Sequence, residues 1–120
     1  MLRSYFAYLT FKRLPAESFA VLRQLFKTHG LEPGITDITE SILEFESSGR
    51  DASRRVVSVF REAAEIIGEA EGELRCEVDD AQEDPHFEFF RILGGKLYRQ
   101  TGVIVRSTPP MEVDDAFFAG

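Results

Sequence analysis

The chain has no tryptophan, one cysteine (Cys76), two histidines and two methionines in 120 residues. One thiol forms no internal disulfide, so the fold must rest on its packed core, and a reducing, cytoplasmic compartment is the expectation. Metal chemistry built on cysteine and histidine is starved of ligands for the same reason. No apolar run approaches the roughly 18–20 residues that cross a bilayer. The opening MLRSYFAYLTFKRLP is short, aromatic and alternating, and no small-residue cleavage site follows it, which predicts no secretory signal. A G-x-x-x-x-G-K-[ST] phosphate loop and a G-x-S-x-G nucleophile elbow are both missing. Basic residues are also scarce. With 14 Lys and Arg against 21 Asp and Glu, the net charge is −7, which opposes general nucleic-acid binding.

What the chain does have is aromatic carbon and segregated charge. Eleven phenylalanines and three tyrosines within a 43% hydrophobic composition give one domain enough material for its own core. Residues 1–30 carry five bases and one acid, whereas residues 62–88 carry eleven acids with Arg75 as the only base. Charge blocked in this way predicts an acidic and a basic face that orient a partner.

Periodicity divides the chain into elements. SYFAYLTFK alternates and is rich in aromatic types, which predicts a strand covered on both faces or at a sheet centre. In the next segment Phe19, Leu22, Leu25 and Phe26 form one helical stripe. Pro15 stands at its first position and His29-Gly30 at its end. Residues 35–47 predict a second strand, with Leu43 and Phe45 on one face. Val56, Val57, Phe60, Ala63, Ala64 and Ile67 predict a strongly amphipathic helix that stops at Gly68. Residues 69–79 alternate cleanly, with Leu74, Cys76 and Val78 inward and Glu69, Glu71, Glu73, Arg75, Glu77 and Asp79 outward. HFEFFRIL-GG-KLYRQTGVIVR predicts a hairpin turning on Gly94-Gly95, with a bulge or bend at Gly102.

The resulting order, β-α-β-α-β-β-β, predicts an α+β two-layer sandwich. Its mostly antiparallel sheet of about five strands carries two helices on one face, in the ferredoxin-like class or a variant. Residues 1–108 form the domain, and 109–120 form an acidic and aromatic tail that the Pro-Pro break takes out of the sheet.

Candidate sites follow from residue type. The stretch EVDDAQEDPHFEF gathers acids around His86 but lacks the glycine and spacing of a calcium loop, so Asp79, Asp80 and Asp84 read first as a solvated connection. No metal, cofactor or catalytic residue is expected. Cys76, between Leu74 and Val78, reads as a small core hydrophobe, and His29 as a partner of helix-end carbonyls. Ser48, Arg50, Arg54 and Arg55 around a glycine turn and a helix start form a possible anion site, although Asp51 in the same run would repel an anion. Phe6, Tyr8, Phe87, Phe89 and Tyr98 form a possible aromatic cavity over the sheet.

The acids Glu69, Glu71, Glu73, Glu77, Asp79 and Asp80, with the tail rings Phe117 and Phe118, are the expected partner-binding set. Charge would steer the encounter and rings would fill pockets. The tail rings folding back onto their own domain is the competing account. The functional expectation is a small non-enzymatic module of regulatory, adaptor or inhibitor type. It would bind another protein or a second copy of itself. A small-ligand-binding protein or simple enzyme is the alternative.

Overall fold

The computed structural model describes residues 2–79, 86–102 and 109–119. Its strands are β1 (Leu2–Phe11), β2 (Ile35–Ile38), β3 (Ile42–Gly49), β4 (Ala70–Asp79), β5 (His86–Leu93), β6 (Lys96–Gly102) and β7 (Met111–Glu112). The α-helices are α1 (Ala16–Thr28), α2 (Arg55–Ile67) and α3 (Asp115–Ala119), with a 3-10 turn at Glu32–Gly34. All seven strands join one antiparallel sheet in the order β2-β3-β1-β4-β5-β6-β7.

The architecture is α+β, but the sheet has seven strands where the sequence predicts about five. Two differences account for this. Residues 35–47 are a hairpin rather than one strand. Its turn uses Thr39, whose backbone N–H donates to the Ile42 carbonyl at 2.8 Å and whose hydroxyl accepts from the Ser41 N–H at 3.2 Å. Hydroxyl turns of this kind need no Gly or Pro to announce them. The second difference lies in the tail, which returns to the sheet. Glu112 pairs with Tyr98 and Met111 with Arg99, and the Val113 N–H donates to the Leu97 carbonyl at 2.6 Å.

Burial alternates along the long strands. Tyr5, Ala7, Leu9, Leu43, Phe45, Leu74, Cys76, Val78, Phe90, Ile92 and Leu97 all fall on one side, with α1 and α2 packed over them. The centre of that layer is an aromatic triad, Phe26 of α1, Phe45 of β3 and Phe60 of α2, with ring centroids 5.5–5.8 Å apart and tilted or edge-on geometry. The other side of the sheet carries no helix among the described residues. β1 is therefore at the sheet centre but covered on one face only, and Phe6 and Tyr8 are 40% and 46% exposed.

Two glycine sites are fixed by backbone need. Gly94 and Gly95 take φ 57 and 77 in the two-residue β5–β6 turn, the left-handed pair that such hairpins require. Gly72 has φ 90, and a Cβ there would sit 2.1 Å from the Tyr8 carbonyl oxygen. It faces solvent rather than the buried side that strict alternation assigns to it.

Candidate functional site

Alternation places two different constellations on the two faces of the sheet. On the open face the expected acidic and aromatic sets, drawn from separate stretches of sequence, come together. Tyr8 lies between Glu44 of β3 and Glu73 of β4, Phe6 between Glu46 and Arg75, and Ser4 between Ser48 and Glu77. Across β4, Arg75 faces Phe89 and Glu77 faces Phe87. Farther out, Phe89 faces Gln100 and Arg91 faces Tyr98. The face therefore runs in columns, acidic on β3, aromatic on β1, mainly acidic on β4 and aromatic on β5.

Two contacts order these side chains. The Arg75 guanidinium lies 5.7 Å from the Phe6 ring centroid, and the Phe87 and Phe89 rings stack at 6.1 Å. A shallow depression of about 430 Å³ is lined by Ser4, Phe6, Glu46, Ser48, Arg75 and Glu77 among others. Phe6, Tyr8, Phe87, Phe89 and Tyr98 thus share an open surface, not an enclosed cavity. Glu71 also stands on this face opposite Thr10, and Glu69 is exposed just before β4 begins. Asp79 pairs through its backbone with Leu2, whereas its side chain and the whole of Asp80 and Asp84 lie outside the described residues.

The covered face carries a polar cluster at the end where α2 begins. Arg54, just ahead of α2, has the only positive φ of any non-glycine among the described residues, 56° with ψ 44°. That left-handed step places the Asp51 carboxylate over the helix start, accepting from the Arg55 N–H at 2.9 Å and the Val56 N–H at 3.3 Å. The Tyr5 hydroxyl donates to the same carboxylate at 2.7 Å, and buried Arg3 donates through Nη1 to the Asp51 carbonyl. Buried Glu88 accepts from Arg54 Nη1 at 3.0 and 3.3 Å and lies 3.6 Å from Arg99 Nη1.

Phe117 closes this cluster from above. Its ring lies 4.2 Å from the Arg54 guanidinium and 4.8 Å from that of Arg99, and it packs edge-on against Phe90. Phe118 packs against Phe117 and lies 5.7 Å from Arg61, which also pairs with Asp115 at 3.2 Å. Both tail rings therefore lie on the helix side of the protein, away from the acidic and aromatic face.

Burial governs the chemistry of the cluster. Desolvation, with Glu88 nearby, pushes the Cys76 thiol up to about 12, and desolvation together with Cys76 and Asp51 holds the Tyr5 phenol well above its ordinary value. Both groups keep their protons throughout the physiological range, so neither is an activated nucleophile.

The four residues of the possible anion site do not converge. Ser48 of β3 meets Ser4 of β1 at 3.3 Å, Arg54 turns inward to Glu88, and Arg50 and Arg55 are exposed. Asp51 already occupies the helix start. His29 lies beside Glu62 of α2 at 3.5 Å, and its backbone N–H, not its ring, donates to the Leu25 carbonyl. Among the described residues no group of three or more His, Cys, Asp or Glu side chains is arranged to hold a metal ion. None of the described helices is long and apolar enough to cross a membrane.

Sequence reasoning missed the polar cluster because its members come from β1, β4, β5, β6 and the α2 entry. A signal was present. Arg3 falls in phase with Tyr5, Ala7 and Leu9, and Glu88 in phase with Phe90 and Ile92, so each is a charge in the buried register of a strand. No family model matches the chain, and neither a curated protein nor a solved structure matches it.

Proposed function

We propose that the protein is a small, non-enzymatic, protein-binding module of regulatory, adaptor or inhibitor type, and that the open face of its sheet is the binding surface. The observation that carries this reading is the convergence of acids and exposed aromatics on one face of the sheet, which carries no helix among the described residues. Rings of the size of Phe6 and Tyr8 supply contact energy when water leaves them, and the surrounding carboxylates set orientation and encounter rate. The dimensions suit the role. Strand spacing of about 4.8 Å and a rise of about 3.3 Å per residue give a face of roughly 600–800 Å², comparable to the ~800 Å² that each partner contributes to an ordinary interface.

The first four strands support a ferredoxin-like reading of the fold. Their order is β2-β3-β1-β4, a helix follows β1 and another follows β3, and β5 to β7 extend the sheet beyond β4. A cytoplasmic setting fits the single buried thiol.

The test compares the intact chain with a Phe6→Ser, Phe89→Ser variant in capture from cell extract. A stoichiometric protein held by the first and lost by the second, with both variants folded, is the expected result. Equal capture by both, or no capture by either, rejects the reading.

One observation favours a small-ligand alternative. A cleft of about 680 Å³ opens at the opposite end of the sheet, lined by Thr10, Phe11, Lys12, Ile67, Glu69, Glu71 and the Gly94-Gly95 turn among others. A metabolite that raises Tm in the intact protein but not in Lys12→Ala would support it.

A further inference from the structure

Resting on the proposed role of the open face, the pattern of that face also defines the side chain it receives. We propose that its occupant is an arginine-rich segment of a partner protein, with guanidinium groups seated against the β1 and β5 rings and paired with the glutamates of β3 and β4. The chain contains a working example of such a seat. Arg75 already lies over the Phe6 ring, with Phe89 as its cross-strand neighbour on β5. The neighbouring row keeps the aromatic residue but replaces the cation with acid, since Glu77 stands between Ser4 and Phe87.

The depression beside Phe6 makes this concrete. Glu46 and Glu77 stand on the two strands that flank β1, with the Ser4 and Ser48 hydroxyls along the floor between them. Among the described residues no Lys or Arg forms a salt bridge with either glutamate. A guanidinium entering there meets two carboxylates and two hydroxyl acceptors beside the Arg75–Phe6 pair, which lines the same depression. Its planar, multiply donating shape uses these acceptors better than the point charge of an ammonium.

Charge also chooses among occupants. The face carries Glu44, Glu46, Glu71, Glu73 and Glu77 against Arg75 and Arg91. A second copy would bring the same excess of carboxylates, and a nucleic acid would bring phosphates, so each meets like charge. A basic segment meets complementary charge.

The experiment titrates the full chain with a synthetic oligoarginine peptide, an oligolysine and an oligoglutamate of equal length. Amide chemical shifts report the site and sedimentation reports the oligomeric state. Oligoarginine is expected to bind with shifts concentrated on β1, β4 and β5. Its binding should weaken about tenfold from low to physiological salt, and exceed that of oligolysine several-fold. Glu46→Gln with Glu77→Gln should weaken it about tenfold without changing Tm, and Phe6→Ala about fivefold.

Equal binding of oligolysine, shifts located elsewhere, or indifference to the glutamine changes would overturn the arginine assignment. A dimer that forms through this face and is dispersed by Phe6→Ser, Phe89→Ser, with no peptide bound, overturns it while leaving the protein-binding role standing. A face whose substitution alters neither peptide binding, self-association nor capture of a partner removes both.

Discussion

The two faces of the sheet are made by alternate residues of the same strands, and they treat charge and aromatic carbon in opposite ways. On the helix side even charged groups are closed in. Arg3 is 6% exposed and Glu88 3%; Glu88 accepts from Arg54, and Arg3 donates through Nη1 to the Asp51 carbonyl while its Nε has no hydrogen-bond partner among the described residues. On the other side Phe6 and Tyr8 stand in water among glutamates. Residue type alone therefore does not decide which side chains are buried. Register decides, because helices follow β1 and β3 on one side only, and each strand turns half its side chains toward them. A buried charge needs a complete set of partners, whereas an exposed ring needs none, so substitutions should cost very different amounts on the two sides.

The largest expected effect comes from the same change made on both faces. Phe60→Ala opens the Phe26–Phe45–Phe60 triad and should cost about 3–5 kcal/mol in urea unfolding. Phe6→Ala removes an equal ring from the open face and should cost about 0.5 kcal/mol or less. Equal losses would erase the distinction between the faces.

Charge gives the next contrast. Glu88→Ala leaves Arg54 and Arg99 facing each other without their shared acceptor and should cost about 3 kcal/mol. Glu77→Ala on the open face should stay within about 0.5 kcal/mol. Replacing Glu88, Arg54 and Arg99 together by methionines sharpens the comparison. It should restore part of the loss from Glu88→Ala alone, since no unpaired buried charge remains.

Alkaline pH tests the covered face by itself. The folded protein holds the Cys76 proton up to about 12, whereas an unfolded chain releases it near 9. Tyr5 behaves in the same sense from its ordinary value of 10 upward. Above these unfolded values the native state binds more protons, so stability falls as pH rises. The Cys76 contribution is complete below about pH 9 and is lost through pH 9–12, and the Tyr5 contribution is complete below about pH 10 and is lost above it, at up to about 1.4 kcal/mol per pH unit for each group. Urea midpoints measured from pH 7 to 11 should show this fall, and Tyr5→Phe should flatten its upper part. A flat profile would mean that the cluster is open to solvent.

Much of this layout was legible in the sequence where one period dominates. The helix over Val56–Ile67, the alternation around Cys76 and the turn at Gly94-Gly95 each carry their own local signal, and the structure has them at those places. The β2–β3 turn was illegible because Thr39 and Ser41 close it with hydroxyl and backbone hydrogen bonds in a stretch that also reads as continuous strand. β7 is two residues long, too short for any period, and exists because β6 offers an edge. On the open face the residue types were legible but their meeting was not, since it depends on β1 lying between β3 and β4. The Phe117 contact was hidden in the same way, its two arginines lying 63 and 18 residues earlier in the chain.

That contact supplies the smallest effect and joins the tail to the comparison. Phe117 is only half-buried, so Phe117→Ala should cost about 1 kcal/mol, mostly lost cation–π and edge-on ring contact. A cycle with Arg99→Ala separates the causes. If the ring stabilises through that guanidinium, the double variant costs less than the two single changes added together, by about 0.5–1 kcal/mol. If the losses simply add, Phe117 acts through Arg54 and its ring neighbours Phe90 and Phe118, and Arg99 is held by Glu88 without help from above. The open face should not notice either change. Unaltered amide shifts at Phe6 and Tyr8 in Phe117→Ala would show that the tail closes one face and leaves the other free to bind.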